Sequence, residues 1–583
     1  MRESALRLAV ATVVVIPVAL TLLDAASPKA DVIFVHGHIY QPPRQDSEQP
    51  NCRSLPAELV RSGGMPCESH TYAEALAVKD GKVLAVGDAT TILKLKDWHT
   101  TVVDLRGHFV LPGFNDAHLH LASGGLEKLN VDLRGTASLA EMQQRVAERA
   151  RVLAPGEWIR GRGWDQTKWK TQTLPTRQDL DTVTSGHPAI FTRIDGHICV
   201  VNTAALRAAA INKDTVDPKG GRIDRDSLGE PTGILREGAR DAVDAVVPEV
   251  SSAERRRAIE LALSEAAEWG LTSLQDNSSW ADFLVYEDLE REGKLTARVT
   301  EWLAFTDSLE TLEWERMHHR SDDPMLHTGM LKGFLDGSLG SRTAALLEPY
   351  ADDPGNYGLP QFDQMTLNHM TRERLAAGFQ IGFHAIGDRA VQMALEAFSD
   401  AMNTDGQSPS SDLRLRVEHA QVTSFSEIDR FGKLLIVASM QPNHLLTDMN
   451  WAEARIGAAR AASSYAWLSF LKAGAPLAFG TDYPVEPLTP FRGLYAAVTR
   501  KNEAGTKEYF PEERLSIDQA IEAYTLGSAY AEFAERTKGD LIPGKWADLV
   551  VMDRDITAIP TEQILRTKVL RTVVAGKTVY EAP

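Results

Sequence analysis

Cysteine is scarce: Cys52, Cys67 and Cys199 are the three in 583 residues. No CxxC pair or Cys/His cluster is present, which excludes a structural zinc site built on thiolates. Cationic residues are outnumbered, with 62 Lys and Arg against 80 Asp and Glu and a formal net charge of −18. A nucleic-acid partner would need a basic face, so that class is set aside. Several catalytic signatures are also missing. There is no P-loop, no GxGxxG after a strand and no HExxH. Ser338 stands in Asp-Gly-Ser-Leu-Gly, which lacks the first glycine of a GxSxG nucleophile elbow. No repeat of 20–50 residues is evident.

Long apolar runs are confined to the start of the chain. Arg2 and Arg7 flank Leu8–Leu23, and Ala25, Ala26 and Ser27 follow, the order of an export signal. At about 16 residues the run is shorter than the roughly 20 needed to cross a bilayer. Residues 1–27 therefore read as a signal peptide or N-terminal anchor, with a membrane contact only if the segment stays uncleaved. In an exported chain Cys52 and Cys67 are candidates to pair, closing a loop of about 15 residues worth about 3 kcal/mol. Cys199, in Ile-Cys-Val-Val, reads as a small buried hydrophobe.

Strand patterns dominate both ends of the mature chain. Asp31–Tyr40, Ala75–Gly87 and Thr101–Leu111 lie at one end, with a hairpin expected at Asp80-Gly81. Asp548–Met552, Val569–Val574 and Thr578–Tyr580 lie at the other, with Gly576-Lys577 as a turn. One β-sandwich built from residues 31–112 and 539–583 is expected. Between them, helical and strand patterns alternate as in a parallel α/β fold. The expectation is a (β/α)8 barrel over residues 113–538, with an inserted subdomain at about 150–250.

The chemistry begins at Leu111-Pro-Gly-Phe-Asn-Asp-Ala-His-Leu-His120. Residues two apart on a strand share a face, so His118 and His120 can offer imidazole nitrogen to one ion. Lys332, His384, His419 and Asp482 also follow apolar strands. A βα unit takes about 30 residues or more, so their spacing assigns them to strands four, five, six and eight, with the HxH pair on strand one. Active sites of such barrels form at these strand ends. Singly, each has a plainer reading as a core histidine, a helix cap or a surface lysine. Jointly, the spacing favours a metal site.

These motifs, with Gly163-Trp-Asp-Gln-Thr-Lys-Trp169, Leu335-Asp-Gly-Ser-Leu-Gly-Ser-Arg-Thr-Ala344, His384-Ala-Ile-Gly-Asp-Arg389, Val417-Glu-His-Ala420 and Gly480-Thr-Asp-Tyr-Pro484, resemble the amidohydrolase superfamily. The likeness is to its branch containing N-substituted formamide deformylase, and it spans the mature chain. It implies one or two divalent metals, usually zinc, held by His118, His120, Lys332, His384, His419 and Asp482. It further implies that Lys332 can be carboxylated to bridge two ions, and that Asp482 is the catalytic acid–base. The expected reaction is hydrolysis of a non-peptide C–N bond in a small molecule, an amide or formamide. An ester, lactone or ring-deamination substrate would use the same site. A non-catalytic exported metal-binding protein is the third reading, against which the full donor set argues. A homodimer is compatible with the resemblance. The stretch from Trp164 to Gly233 is expected to lie in the insert, where Trp164, Trp169, Arg193 and His197 would touch substrate if it caps the site. Ordinary packing accounts for the tryptophans equally well. Arg342 is read as binding a substrate carboxylate or a neighbouring acid.

Overall fold

The computed structural model describes residues 28–43, 70–193, 198–218, 221–340, 342–404 and 412–583. The expected signal segment, Cys52, Cys67 and His197 lie outside the described residues. Among the described residues, no helix is long and apolar enough to cross a membrane.

Eight parallel strands form the centre: β1 (Phe114–Leu119), β2 (Leu271–Asp276), β3 (Arg298–Ala304), β4 (Leu326–Phe334), β5 (Ile381–Ala385), β6 (Arg416–His419), β7 (Val437–Met440) and β8 (Leu477–Phe479). They pair in sequential order from β1 to β8. The ring is drawn shut just beyond β8, where Asp482 N–H donates to His118 O (2.7 Å) and His120 N–H donates to Tyr483 O (2.7 Å). The fold is thus a TIM-type barrel, with Lys332, His384 and His419 on strands four, five and six and Asp482 beyond strand eight.

Both chain ends meet beneath it. Strands Val32–Val35, Ala75–Lys79, Lys82–Gly87 and Thr101–Asp104 form one sheet. His38–Gln41, Thr71–Ala73 and Phe109–Pro112 join Leu549–Met552, Val569–Val574 and Lys577–Glu581 in the other. Phe34, Leu76, Val110, Leu549, Val551 and Val573 fill the space between them. The first hairpin turns at Asp80-Gly81, both with positive φ, the backbone of a type I′ turn. The last turns at Ala575-Gly576, again both positive, so Lys577 already belongs to the strand. Strand Phe109–Pro112 pairs with the N-terminal strand His38–Gln41 on one side and the C-terminal strand Leu549–Met552 on the other. The chain then passes through Gly113 into β1. A Cβ at Gly113 would stand 2.2 Å from Thr272 Oγ1, so no other residue lets sandwich and barrel approach so closely.

A third layer lies between β1 and β2. Six strands, from Val131–Asp132 to Pro231–Glu237, make a mixed sheet. Its core includes Trp164, Trp169, Met142, Val146, Leu180 and Phe191. Cys199, free and buried, packs among apolar neighbours on the sheet's Ile198–Val201 strand.

Candidate metal centre

The donors come to the barrel mouth from the ends of strands one, four, five, six and eight. His118, the fifth residue of β1, is 1% exposed, and its Nδ1–H donates to Glu418 Oε2 (2.8 Å). Its Nε2 is thereby left as a lone-pair donor toward the mouth. His120 begins the following helix, and its Nδ1–H donates to Asn277 O (2.8 Å), which frees its Nε2 in the same way. Those two Nε2 atoms lie 3.6 Å and 3.3 Å from Asp482 Oδ1. Donors about 2.1 Å from a tetrahedral ion lie about 3.4 Å apart, so the three atoms fit the corners of one ion seat. Asp482 Oδ1 is buried with no hydrogen-bond partner among the described atoms, a cost that a cation would remove.

His419, at the end of β6 with φ +73°, is also buried, and its Nδ1 has no hydrogen-bond partner among the described atoms. His384 stacks edge-on to it at 4.5 Å between ring centroids, while its Nε2 contacts Gly337 O (3.2 Å) and Asp336 (3.4 Å). Lys332 Nζ is 3.2 Å from His118 Nε2 and 5.1 Å from the rings of both Trp302 and Phe334.

Burial sets the protonation of the cluster. It pulls His118 down to about 4 and His384 to about 3, with the nearby Lys332 charge adding to both. It pulls His419 well below the ordinary value too, reinforced by His384. These imidazoles are neutral at pH 7, the form that binds metal. Lys332 is brought down to about 8 by burial, against the opposing charges of Glu418 and Asp482. Burial works against ionisation of Asp482, yet its contacts with His120 and His444 hold it well below the carboxylate range.

Behind the mouth, charges continue through the barrel interior. Glu418 accepts from Arg416 Nε (2.8 Å), and Arg416 reaches Ala117 O (2.8 Å) and Ser439 Oγ (2.9 Å). It also donates to Gln275 Oε1 (2.5 Å), whose amide donates to Glu532 (3.2 Å), which pairs with Lys538 (2.9 Å). Burial would raise Glu418, but the Arg416 charge and the His118 hydrogen bond hold it at about 2. An ionised Glu418 fixes the His118 tautomer, which is how outer partners of metal-binding histidines usually work.

The residues expected in the insert fare differently. Trp164 is fully buried in the insert core, its indole N–H donating to Phe191 O (2.9 Å), and Trp169 is 2% exposed. Both are packing residues, because a large ring with its one polar atom satisfied has nothing left to offer a ligand. Arg193 is held inside the insert by Asp165 (2.9 Å) and Gln166 (2.9 Å). Arg342 makes a bidentate pair with Asp352 (3.1 and 2.9 Å), so the neighbouring acid, not a substrate carboxylate, is its partner.

One residue escaped the sequence reading. His444 follows β7, and its Nε2 is 3.0 Å from Asp482 Oδ2. Burial opposes its charge, but the hydrogen bond to Asp482 raises it to about 9. The 63-residue gap from His419 to Asp482 implies an intervening strand, and the apolar run Ile436–Met440 ends four residues before His444. The pattern that flagged the other donors was there to be read.

A barrel with histidines and an aspartate gathered at its strand ends defines a metal-dependent hydrolase. Residues 101–580 match the model of the amidohydrolase family, and the chain belongs to that family. It is 35% identical to protein LONG AFTER FAR-RED 3 of Arabidopsis thaliana over 87% of this chain and 88% of that one. It is 34% identical to "Putative amidohydrolase YtcJ" of Bacillus subtilis over 88% and 97%. N-substituted formamide deformylase of Arthrobacter pascens is 27% identical over 88% and 96%. Among solved structures, an uncharacterized metal-dependent hydrolase from Pyrococcus furiosus superimposes with a TM-score of 0.72 at 30% identity, covering 90% of this chain and 99% of that one.

Proposed function

We propose that this hydrolase cleaves a non-peptide C–N bond, an amide or N-substituted formamide, with zinc at the barrel mouth. The observation that carries the reading is Asp482. One of its oxygens is buried and unpartnered beside the HxH nitrogens, and the other faces His444. His118, His120 and Asp482 would hold a divalent ion, with His419, His384 and Lys332 beside it, and such an ion would lower the pKa of a bound water to about 7. Asp482, whose Oδ2 accepts from His444, would take the proton of that water and return it to the departing amine. Glu418 and Asn277 keep the two histidines aimed while this happens. The buried Lys332 amine is neutral often enough to add carbon dioxide, forming a carbamate with loss of one proton. Phe334, 46% exposed beside His384, gives the mouth an apolar wall for the substrate's side group. The similarity to the deformylase supports the choice of bond. Export, suggested by residues 1–27, belongs to the same reading and is checked by N-terminal sequencing of the native protein.

The test is Asp482→Asn assayed on a panel of N-substituted formamides, acyl-amines, lactones and cyclic ureas. Wild type should turn over a formamide or acyl-amine best, and the variant should lose about 10²–10⁴-fold in turnover, as for a general acid–base. Full turnover by a metal-loaded variant, or activity confined to lactones, would sink the proposal.

A further inference from the structure

The metal centre occupies one end of the barrel. At the other end, a cavity of about 690 Å³ lies between the strand starts and the sandwich, a size that suits a small molecule. β4 opens onto it: His327, Thr328 and Gly329 are partly exposed, whereas Met330 to Gly333 are buried. Lys82 and Trp546 line it from the sandwich side. We infer that this cavity is a second ligand site, for a small organic anion with an apolar body, and that its occupancy is felt at the metal centre. Which bond the enzyme cleaves has no bearing on this site.

The walls and the charges select that ligand. Leu375, Phe379, Leu413 and Phe533 give the cavity its apolar side. Phe533 is 47% exposed there and has a φ of +62°, uncommon for an aromatic residue. Acids line the cavity too, but each is matched. Asp322 pairs with Arg320 (3.0 Å), Asp412 with Arg414 (2.8 Å) and Glu532 with Lys538 (2.9 Å). Asp323 accepts from the backbone N–H groups of Met325 (2.8 Å) and Leu326 (3.2 Å). Arg298 is matched by Asp548 (2.7 Å). Two cations are left over. The Lys82 ammonium lies 5.0 Å from the Trp546 ring and the Arg316 guanidinium 3.9 Å from the Phe379 ring, and neither has a carboxylate partner among the described residues. His327 adds a buried Nδ1 with no hydrogen-bond partner among the described atoms. Unpaired cations beside apolar walls favour a ligand that carries a negative charge on an apolar frame.

The floor of the cavity is the far end of the chain that aims His118. Thr300 and Glu532 both line it, and Thr300 Oγ1 donates to Glu532 Oε2 (2.6 Å). Glu532 connects to Glu418 through Gln275 and Arg416, and Glu418 fixes His118. An anion set beside Lys538 competes with Glu532 for that ammonium. The far end of the chain is thereby loosened, and zinc is held less tightly.

Calorimetry tests the site with phenylpropionate as the probe and phenylpropanol and phenylpropylamine as its neutral and cationic counterparts. Each is titrated into zinc-loaded wild type, Lys82→Met and Thr328→Phe. Wild type should bind the acid about tenfold tighter than the alcohol or the amine. Lys82→Met should erase that preference, and Thr328→Phe, which fills the cavity, should weaken all three compounds about tenfold or more. Lys82 is exposed, so its variant folds even if the cavity-filling one does not. Zinc affinity, measured with and without saturating phenylpropionate, should fall about fivefold in wild type and stay constant in Lys82→Met. An acid that binds both variants as well as wild type sits at the metal and overturns the site. No binding to wild type, or tighter binding of the amine, overturns it as well. A zinc affinity that the acid leaves unchanged in wild type, or shifts equally in Lys82→Met, overturns the link to the metal centre. None of these outcomes touches the hydrolase reading, which has its own test at Asp482.

Discussion

The barrel interior and the insert core are built on opposite principles. The insert packs Trp164, Trp169, Leu180, Phe191 and aliphatic neighbours around a sheet, with each indole N–H satisfied by a backbone carbonyl. The barrel buries Arg416, Glu418, Lys332 and Asp116 where such barrels ordinarily stack branched aliphatic residues. Desolvating charges costs more than their attraction reliably returns, so a charged core contributes little to stability. The contrast says which region is kept for strength and which for chemistry. The insert's aromatics are the apolar filling of a subdomain, and the barrel's charges hold donors in a fixed state.

The comparison breaks most sharply at Arg416. Replacing it with Met strands Glu418 as a buried unpaired charge, and the expected cost is about 3–5 kcal/mol. Zinc affinity should fall about 10–100-fold as well, because the His118 tautomer is no longer fixed. Calorimetry and metal titration of the same sample check both, and an intact affinity would show that the chain behind His118 is only structural. Trp164→Ala should also cost about 3–5 kcal/mol through the cavity it leaves. Here zinc stoichiometry should be unchanged, and a lost equivalent would mean that the insert does reach the metal centre.

A smaller effect separates the two regions by pH. His384 is held at about 3 when folded, against about 6.5 in an unfolded chain. Its neutral form contributes stability in full above about pH 6.5, and that contribution is lost as pH falls from there toward 3. Metal-free His384→Asn should therefore lose less stability than wild type between pH 6.5 and 4.5, by on the order of 1 kcal/mol per pH unit. Urea melts at several pH values measure the difference, and parallel slopes would refute it. The least effect belongs to Arg342→Gln. Its partly exposed pair with Asp352 should be worth about 0.2–1 kcal/mol, with KM for a carboxylate-bearing substrate unaltered. A raised KM would return Arg342 to the substrate.

Much of the fold was legible because it rests on local rules. Alternating apolar patterns marked the strands of the two ends, and Asp80-Gly81 announced its hairpin through residues that accept positive φ. Counting βα units from one donor to the next put Lys332, His384 and His419 on their strands without any contact information. His444 was missed because it stands on the turn of helix after β7, not at the strand's last residue, although the spacing of His419 and Asp482 left room for that strand. Trp164 and Arg342 stayed open between two readings for a related reason. A large ring or a guanidinium in a motif reads alike whether it meets a ligand or a neighbour, and its partner lies further along the chain, outside the motif.

The chain by itself determined the barrel, the strand that carries each donor and the class of chemistry, because periodicity and spacing are properties of the backbone path. Only the tertiary structure decided which donors converge, which oxygen of Asp482 faces which histidine, and which state each imidazole holds. Those outcomes depend on distances of 3 to 4 Å between residues as far apart as His118 and Asp482, and on the water excluded around them.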